Sequence, residues 1–221
     1  MKLGMLLFML IPIVGHIYVF WHVWNIVPLH NWLKILLLTL LSLGFVALVF
    51  SFGVGLNKVP MPLATCIYEF GTSSIFVLLY AVMLFLLLDI GRLVHLVPKH
   101  FMYNSLLGTL TVLGILLSVF VYGNIHYNNK GRQELHLNTS KHLDKPLKVV
   151  MISDLHLGYH NRRAEFARWV DLINAERPDL VLIAGDIIDI SVRPLLEENI
   201  AEEFRRIKVP IYACLGNHEY Y

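Results

Sequence analysis

Leu147-Lys148-Val149-Val150-Met151-Ile152-Ser153-Asp154-Leu155-His156-Leu157-Gly158 is the stretch that decides the fold. A short β-branched apolar run ends abruptly in an acid, and a histidine follows two residues later. The pattern recurs twice. Leu180-Val181-Leu182-Ile183 leads into Gly185-Asp186-Ile187-Ile188-Asp189, and Ile211-Tyr212-Ala213-Cys214-Leu215 leads into Gly216-Asn217-His218-Glu219. The runs are short, continuous and apolar, as strands covered on both faces are.

Between the runs the period changes. From Arg162 to Glu176, Phe166, Trp169, Val170 and Ile173 recur at spacings of three and four, which predicts an amphipathic helix, and Pro178 follows its end. Val192 to Ile207 predicts a second helix, with Leu195, Leu196, Ile200 and Phe204 on one face. Glu197, Glu198, Glu202 and Glu203 then form a solvated face. Cys214 reads as a small core residue within its strand. The order β-α-β-α-β implies a parallel sheet covered by helices.

Each motif starts at the carboxyl end of a predicted strand, the edge where α/β sheets bind ligands. Three adjacent strands would bring Asp154, His156, Asp186 and Asn217 to one rim. Two carboxylates, an imidazole and a neutral amide oxygen suit divalent Mn, Fe or Zn better than a thiolate site would. Asp186 is the natural candidate to bridge two ions. Such a pair clamps a phosphoryl group and lowers the pKa of a bound water. His218, next to Asn217, is placed to protonate a leaving group or contact a phosphate oxygen. Gly185 and Gly216 permit the tight strand-to-loop turns. His160, Arg162 and Arg163 read as the surface of a helix start.

The rest of the chain is different in kind. Of 221 residues, 57% are apolar and mean hydropathy is +0.62, above the usual range for a soluble domain. Residues 1–125 carry five Lys/Arg and two acids; residues 126–221 carry thirteen and fourteen. Four apolar stretches approach the ~20 residues that span a bilayer: Leu3 to Trp24, Leu33 to Phe52, Gly71 to Ile90 and Asn104 to Tyr122. Trp21, Trp24, Trp32, Tyr103 and Tyr122 fall near their ends, where aromatic side chains favour the interface. The first stretch is too long for a signal peptide, and no small-residue cleavage site follows it.

Four spans put both ends of this unit on one side of the membrane. That side carries Lys2, Lys58, Lys130, Arg132 and Lys141, against Lys34, Arg92 and Lys99 on the other. The bias places the catalytic part in the cytoplasm, beneath a multi-pass unit in the cell membrane. His16 and His22 read as neutral groups hydrogen-bonded inside the bundle, and Glu69 and Asp89 as groups near helix ends that reach water.

The three motifs resemble those of the calcineurin-like metallophosphoesterase family: Asp-x-His, Gly-Asp-x-x-Asp and Gly-Asn-His-Asp/Glu. Ser153–Gly158, Ala184–Asp189 and Leu215–Glu219 match without a break. The resemblance covers about 147–221 and implies a four-layer αββα sandwich with two metals. It implies that Asp154 and His156 hold the first metal, Asp186 bridges, Asn217 holds the second and His218 assists leaving-group departure. Asp189 would support the site rather than ligate. The family's later blocks, a lone His and a Gly-His-x-His, have no match. The expectation is therefore a truncated amino-terminal part of the domain, inactive by itself. The membrane unit also resembles that of multi-spanning bacterial members.

The domain reading is a transmembrane helical unit over 1–125, a linker over 126–146 whose weakly alternating Glu134–Leu137 also reads as an edge strand, and the phosphoesterase segment over 147–221. The function reading is membrane-anchored, metal-dependent hydrolysis of a phosphate ester. The adjoining membrane unit suggests a lipid-linked substrate, unless that unit is only an anchor. The alternative is a non-catalytic membrane sensor or scaffold with a degenerate or incomplete site. The soluble half is nearly balanced in charge and has no basic stripe, so no nucleic-acid partner is expected.

Overall fold

The computed structural model describes the backbone of residues 3–220 and the side chains of residues 10–220. Lys2, counted in the charge bias, and Tyr221 lie outside the described residues. Packing divides the chain into two compact units. One comprises Met1–Val54 and Phe70–Glu134; the other comprises Gly55–Glu69 and Leu135–Tyr221.

The first unit is helical. Its elements are α1 (Leu3–Ile26), α2 (Asn31–Gly53), most of α3 (Met61–Leu93) and α4 (Leu106–Asn128). Three of these, α2, α3 and α4, are long and apolar enough to cross a membrane; the described apolar part of α1 is Leu10–Ile26. Ser105 starts α4 by accepting the Gly108 N–H at 3.0 Å, which satisfies one of the open donors of the first turn. The third helix begins ten residues before the expected Gly71. Pro62, at its second position, is tolerated there because the first turn needs no N–H donor. The fourth continues past Tyr122 to Asn128.

Polar groups inside this unit find one another. His22 is 2% exposed, stacks on Phe85 at 4.4 Å, and sets Nε2 3.0 Å from Asp89 Oδ2. The Tyr18 hydroxyl donates to the same oxygen at 2.6 Å. Asp89 is thus turned toward His22 and Tyr18 rather than simply toward water as expected. His16 Nδ1 lies 2.8 Å from the Pro12 carbonyl oxygen. Both histidines are hydrogen-bonded within the unit.

In the second unit, β1 (Val149–Ile152), β2 (Leu180–Ala184) and β3 (Ile211–Cys214) form a parallel sheet in the order β1-β2-β3. Val150 pairs with Val181, and Ile183 with Ala213. Helix α5 (Arg163–Ala175) and the short α6 (Arg193–Glu197) and α7 (Ala201–Phe204) follow β1 and β2. Phe166, Val170 and Ile173 of α5 pack with Val181, Ile183, Ile200 and Ile207 into one core. Val150, Ile152 and Ile211 reach this core from the same face of the sheet. The other face carries Val149, Met151 and Tyr212, all exposed.

Four expectations are corrected. The single helix over Val192–Ile207 is two. Asn199 takes φ 52°, and the Ile200 and Asn199 N–H groups bond to the Leu195 and Leu196 carbonyls at 3.0 and 3.3 Å. This is a Schellman closure with Asn at its left-handed position. Glu203 is buried rather than solvated: Arg163 and Arg206 hold its carboxylate at 2.8 and 2.7 Å. Cys214 is exposed, not core, because β3 turns it to the open face. Glu134–Leu137 forms no strand.

Candidate metal centre

The three strand ends place the motif residues on one rim. Asp154 and Asp186 each lie two residues beyond β1 and β2, and Asn217 and His218 three and four beyond β3. The rim is zipped by backbone. The Asp154, His156 and Leu157 N–H groups donate to the carbonyls of Gly185, Asp186 and Ile187, and the Asp189 N–H returns to Leu157. These bonds require an unusual course. Asp154, His156 and Asp186 all take positive φ, at 54°, 41° and 50°. Non-glycine residues rarely do, and such strain concentrates at functional sites. Gly185 is also left-handed, at φ 78°. A methyl group on it would lie 2.7 Å from the Gly216 Cα, so the second and third loops cross where both lack side chains.

Glu219 fastens that crossing. Its Oε1 accepts the Ile187 and Ile188 N–H groups at 2.7 and 3.0 Å. Its Oε2 accepts those of Asp186 and Gly216 at 3.0 and 2.7 Å. Burial raises the pKa of this carboxyl, but the four N–H donors outweigh it and hold the group below its usual range. Its motif was legible in the sequence, but this role was not, since the four N–H groups come from two loops that only the fold brings together.

Side chains converge above this frame. Donor atoms of His156, Asp186 and His218 lie within 4.8 Å of one another. Donors sharing one ion at bonds of ~2.0–2.2 Å would be about 3–4 Å apart, a modest contraction from this arrangement. One carboxylate oxygen and two imidazole nitrogens suit a borderline divalent metal, so the residues fit such an ion. The Asp186 Oδ1 also accepts the His218 N–H at 3.0 Å, tying the second and third loops at the cluster itself. The His156 and His218 rings meet edge to face at 4.4 Å.

Asp154 sits at the outer edge, 65% exposed, with Oδ1 3.8 Å from His156 Nε2. Asn217 is exposed on the third loop. The cluster thus joins two of the expected ligands with His218, which the resemblance had assigned to the leaving group. Asp189 Oδ1 lies 3.9 Å from His156 Nδ1 and 3.7 Å from His218 Nδ1. Asp189 thus faces Nδ1 of both rings, while Asp154 faces Nε2 of His156. Arg162 and Arg163 are tied to Glu198, just past α6, and Glu203 on α7 rather than offered to this rim. Sequence reasoning missed Asn161, whose buried amide donates to the Leu155 carbonyl at 2.9 Å and braces the first loop.

Residues 147–221 match the family model described as calcineurin-like phosphoesterase. The likeness to that family covers this segment, about a third of the chain. The phosphoesterase segment has relatives in distant organisms. The chain is 34% identical over 123 residues to an uncharacterized metallophosphoesterase of Campylobacter jejuni, covering 54% of this chain and 33% of that one. That share exceeds the phosphoesterase segment, so the likeness extends into residues before it. A Danio rerio protein named as a transmembrane protein with metallophosphoesterase domain is 38% identical over 77 residues, 34% of this chain and 17% of its own. A metallophosphoesterase of Helicobacter pylori is 32% identical over 84 residues, 36% of this chain and 21% of its own. The chain covers a third or less of each of these relatives. No solved structure matches it.

Proposed function

We propose that the protein is a membrane-anchored phosphoesterase that hydrolyses a phosphate ester with two divalent metal ions, Mn, Fe or Zn. The observation that carries this reading is the convergence of His156, Asp186 and His218 within 4.8 Å at the carboxyl edge of the sheet, in a segment matched to the calcineurin-like phosphoesterases. When bound, divalent ions supply Lewis acidity toward a phosphoryl oxygen and an acidified water.

The chain's own residues do the rest. Asp186 provides the central anionic oxygen, and its position between the first and third loops suits it to serve both ions. His156 and Asp154 provide the first-loop donors, and Asn217 a neutral oxygen from the third. His218 has Asp189 beside Nδ1, and in its doubly protonated form it would pass the Nε2 proton to the departing oxygen. Residues 1–125 would be the membrane unit, joined through 126–146 to the enzyme segment. The apolar helices and the transmembrane relatives support membrane association. A cytoplasmic face follows from the Lys/Arg bias. A phosphorylated, lipid-linked substrate is consistent with that placement.

The test is hydrolysis of bis-p-nitrophenyl phosphate with added Mn2+ by protein expressed from its full reading frame and purified in detergent. Asp186→Asn keeps the shape of the side chain and removes its charge. The expected outcome is at least a ~100-fold loss of kcat/KM, about 2.7 kcal/mol of transition-state stabilisation, with the fold intact. Undiminished hydrolysis refutes the reading.

A further inference from the structure

The second compact unit contains Gly55–Glu69 as well as Leu135–Tyr221. The loop before α3 and the first turns of that helix are thus part of the phosphoesterase unit, although α3 is long and apolar enough to cross a membrane. Two contacts fix them there. Arg193 donates through Nη1 to the Leu56 and Val59 carbonyls, both at 2.7 Å. Tyr68, 6% exposed, packs its ring 5.3 Å from that of Tyr159 in the first motif loop.

The Tyr68 hydroxyl donates to Asp189 Oδ2 at 2.6 Å, within the range of a charge-assisted bond. The other oxygen of that carboxylate is the one beside His156 and His218. Asp189 is 13% exposed in its side chain, so water cannot freely replace the phenol. The two histidine contacts, at 3.9 and 3.7 Å, are too long to fix the carboxylate plane by themselves. One hydrogen bond from a helix outside all three motifs therefore holds the carboxylate that faces both imidazoles.

We propose that Tyr68 is a positioning residue for the candidate metal centre, acting through Asp189 on His156 and His218, so that the amino-terminal end of α3 completes the site. The inference rests on the metal reading proposed above. It makes the phosphoesterase segment dependent on a residue that lies 79 positions before it in sequence. Outer partners of metal-ligating histidines typically carry about 10–100-fold of metal affinity, and the same scale applies here.

The experiment measures Mn2+ binding by electron paramagnetic resonance, and kcat and KM separately, for the full-reading-frame protein and its Tyr68→Phe, Asp189→Asn and doubly substituted forms. Tyr68→Phe keeps the ring against Tyr159 and removes only the hydroxyl. The expected result is a roughly 10-fold weaker Mn2+ affinity and a lower kcat with KM little changed. In the Asp189→Asn background the further loss on removing the hydroxyl shrinks to about twofold or less, since the path runs through Asp189. If Tyr68→Phe folds, binds Mn2+ and turns over as the parent does, the positioning role is overturned and the metal reading stands. Equal losses in both backgrounds also overturn it, because they mean a merely structural effect. If the parent itself neither binds Mn2+ nor hydrolyses the diester, both readings fall together.

Discussion

Replacing Glu219 by Gln tests whether the loops of the metal rim are held by a carboxylate. Each Glu219 oxygen accepts two backbone N–H groups, at 2.7 and 3.0 Å in both pairs. A glutamine offers one oxygen and one NH2. Whichever way the amide turns, two N–H groups meet another donor, and the remaining two lose a charged acceptor. An unmade hydrogen bond at a buried donor costs about 1–3 kcal/mol. Two such losses at a half-buried site, discounted for water access, give about 2–4 kcal/mol. Hydrogen–deuterium exchange read by mass spectrometry is the direct assay, because it reports the opening of Asp186, Ile187, Ile188 and Gly216 themselves. That cost predicts roughly 30- to 1000-fold faster exchange for peptides carrying these amides, with the core of α5 unchanged. Exchange within threefold of the parent would refute the reasoning.

Other expectations follow from the same unit. Glu203 is held below its ordinary value of 4.5 by hydrogen bonds from Arg206 and Arg163, and Glu219 by its four N–H donors against the opposing effect of burial. Both pKa values are depressed on folding, so their stabilisation is present above pH ~4.5 and is lost as pH falls through the folded values. Acid titration of Glu203→Gln should show a shallower decline of stability than the parent; an identical decline would count against it. Phe166→Ala removes a fully buried ring that packs on Phe204 at 4.5 Å and should cost about 3–5 kcal/mol in chemical denaturation followed by circular dichroism. A loss below 1 kcal/mol would mean the core has collapsed around the gap. Ser140→Cys, placed in the exposed linker of a Cys66→Ser/Cys214→Ser background, should react with a membrane-impermeant thiol reagent only after the cells are opened. Labelling of intact cells would reverse the proposed orientation.

The sequence carried the sheet well because its signals are local. Three apolar runs each ending in a turn and a polar motif can be read one at a time, and parallel order follows from the helices between them. Helix α5 was legible from Phe166, Val170 and Ile173 for the same reason. The break at Asn199 was not, since Asn at that place fits both a helix surface and a left-handed closure, and only the backbone bonds to Leu195 and Leu196 decide between them. The fate of Glu203 depended on two arginines, Arg163 and Arg206, one of them forty residues away. The site shows the same division. Asp154, His156, Asp186 and His218 could be named from spacing after strands. The bracing roles of Glu219, Asn161 and Tyr68 arise from contacts between segments that no spacing encodes.

One face of the sheet, with Val149, Met151 and Tyr212, carries no packed layer among the described residues. The candidate metal rim has no packed layer beneath it on that side, and its loops are tied to one another: backbone bonds between the first and second, the Glu219 carboxylate between the second and third. Such a rim moves as one piece. A strain introduced in any of the three loops is shared by the other two, so paired substitutions in different loops should cost less than the sum of their separate costs. The expected outcome is that the donors keep their spacing until the whole clasp opens.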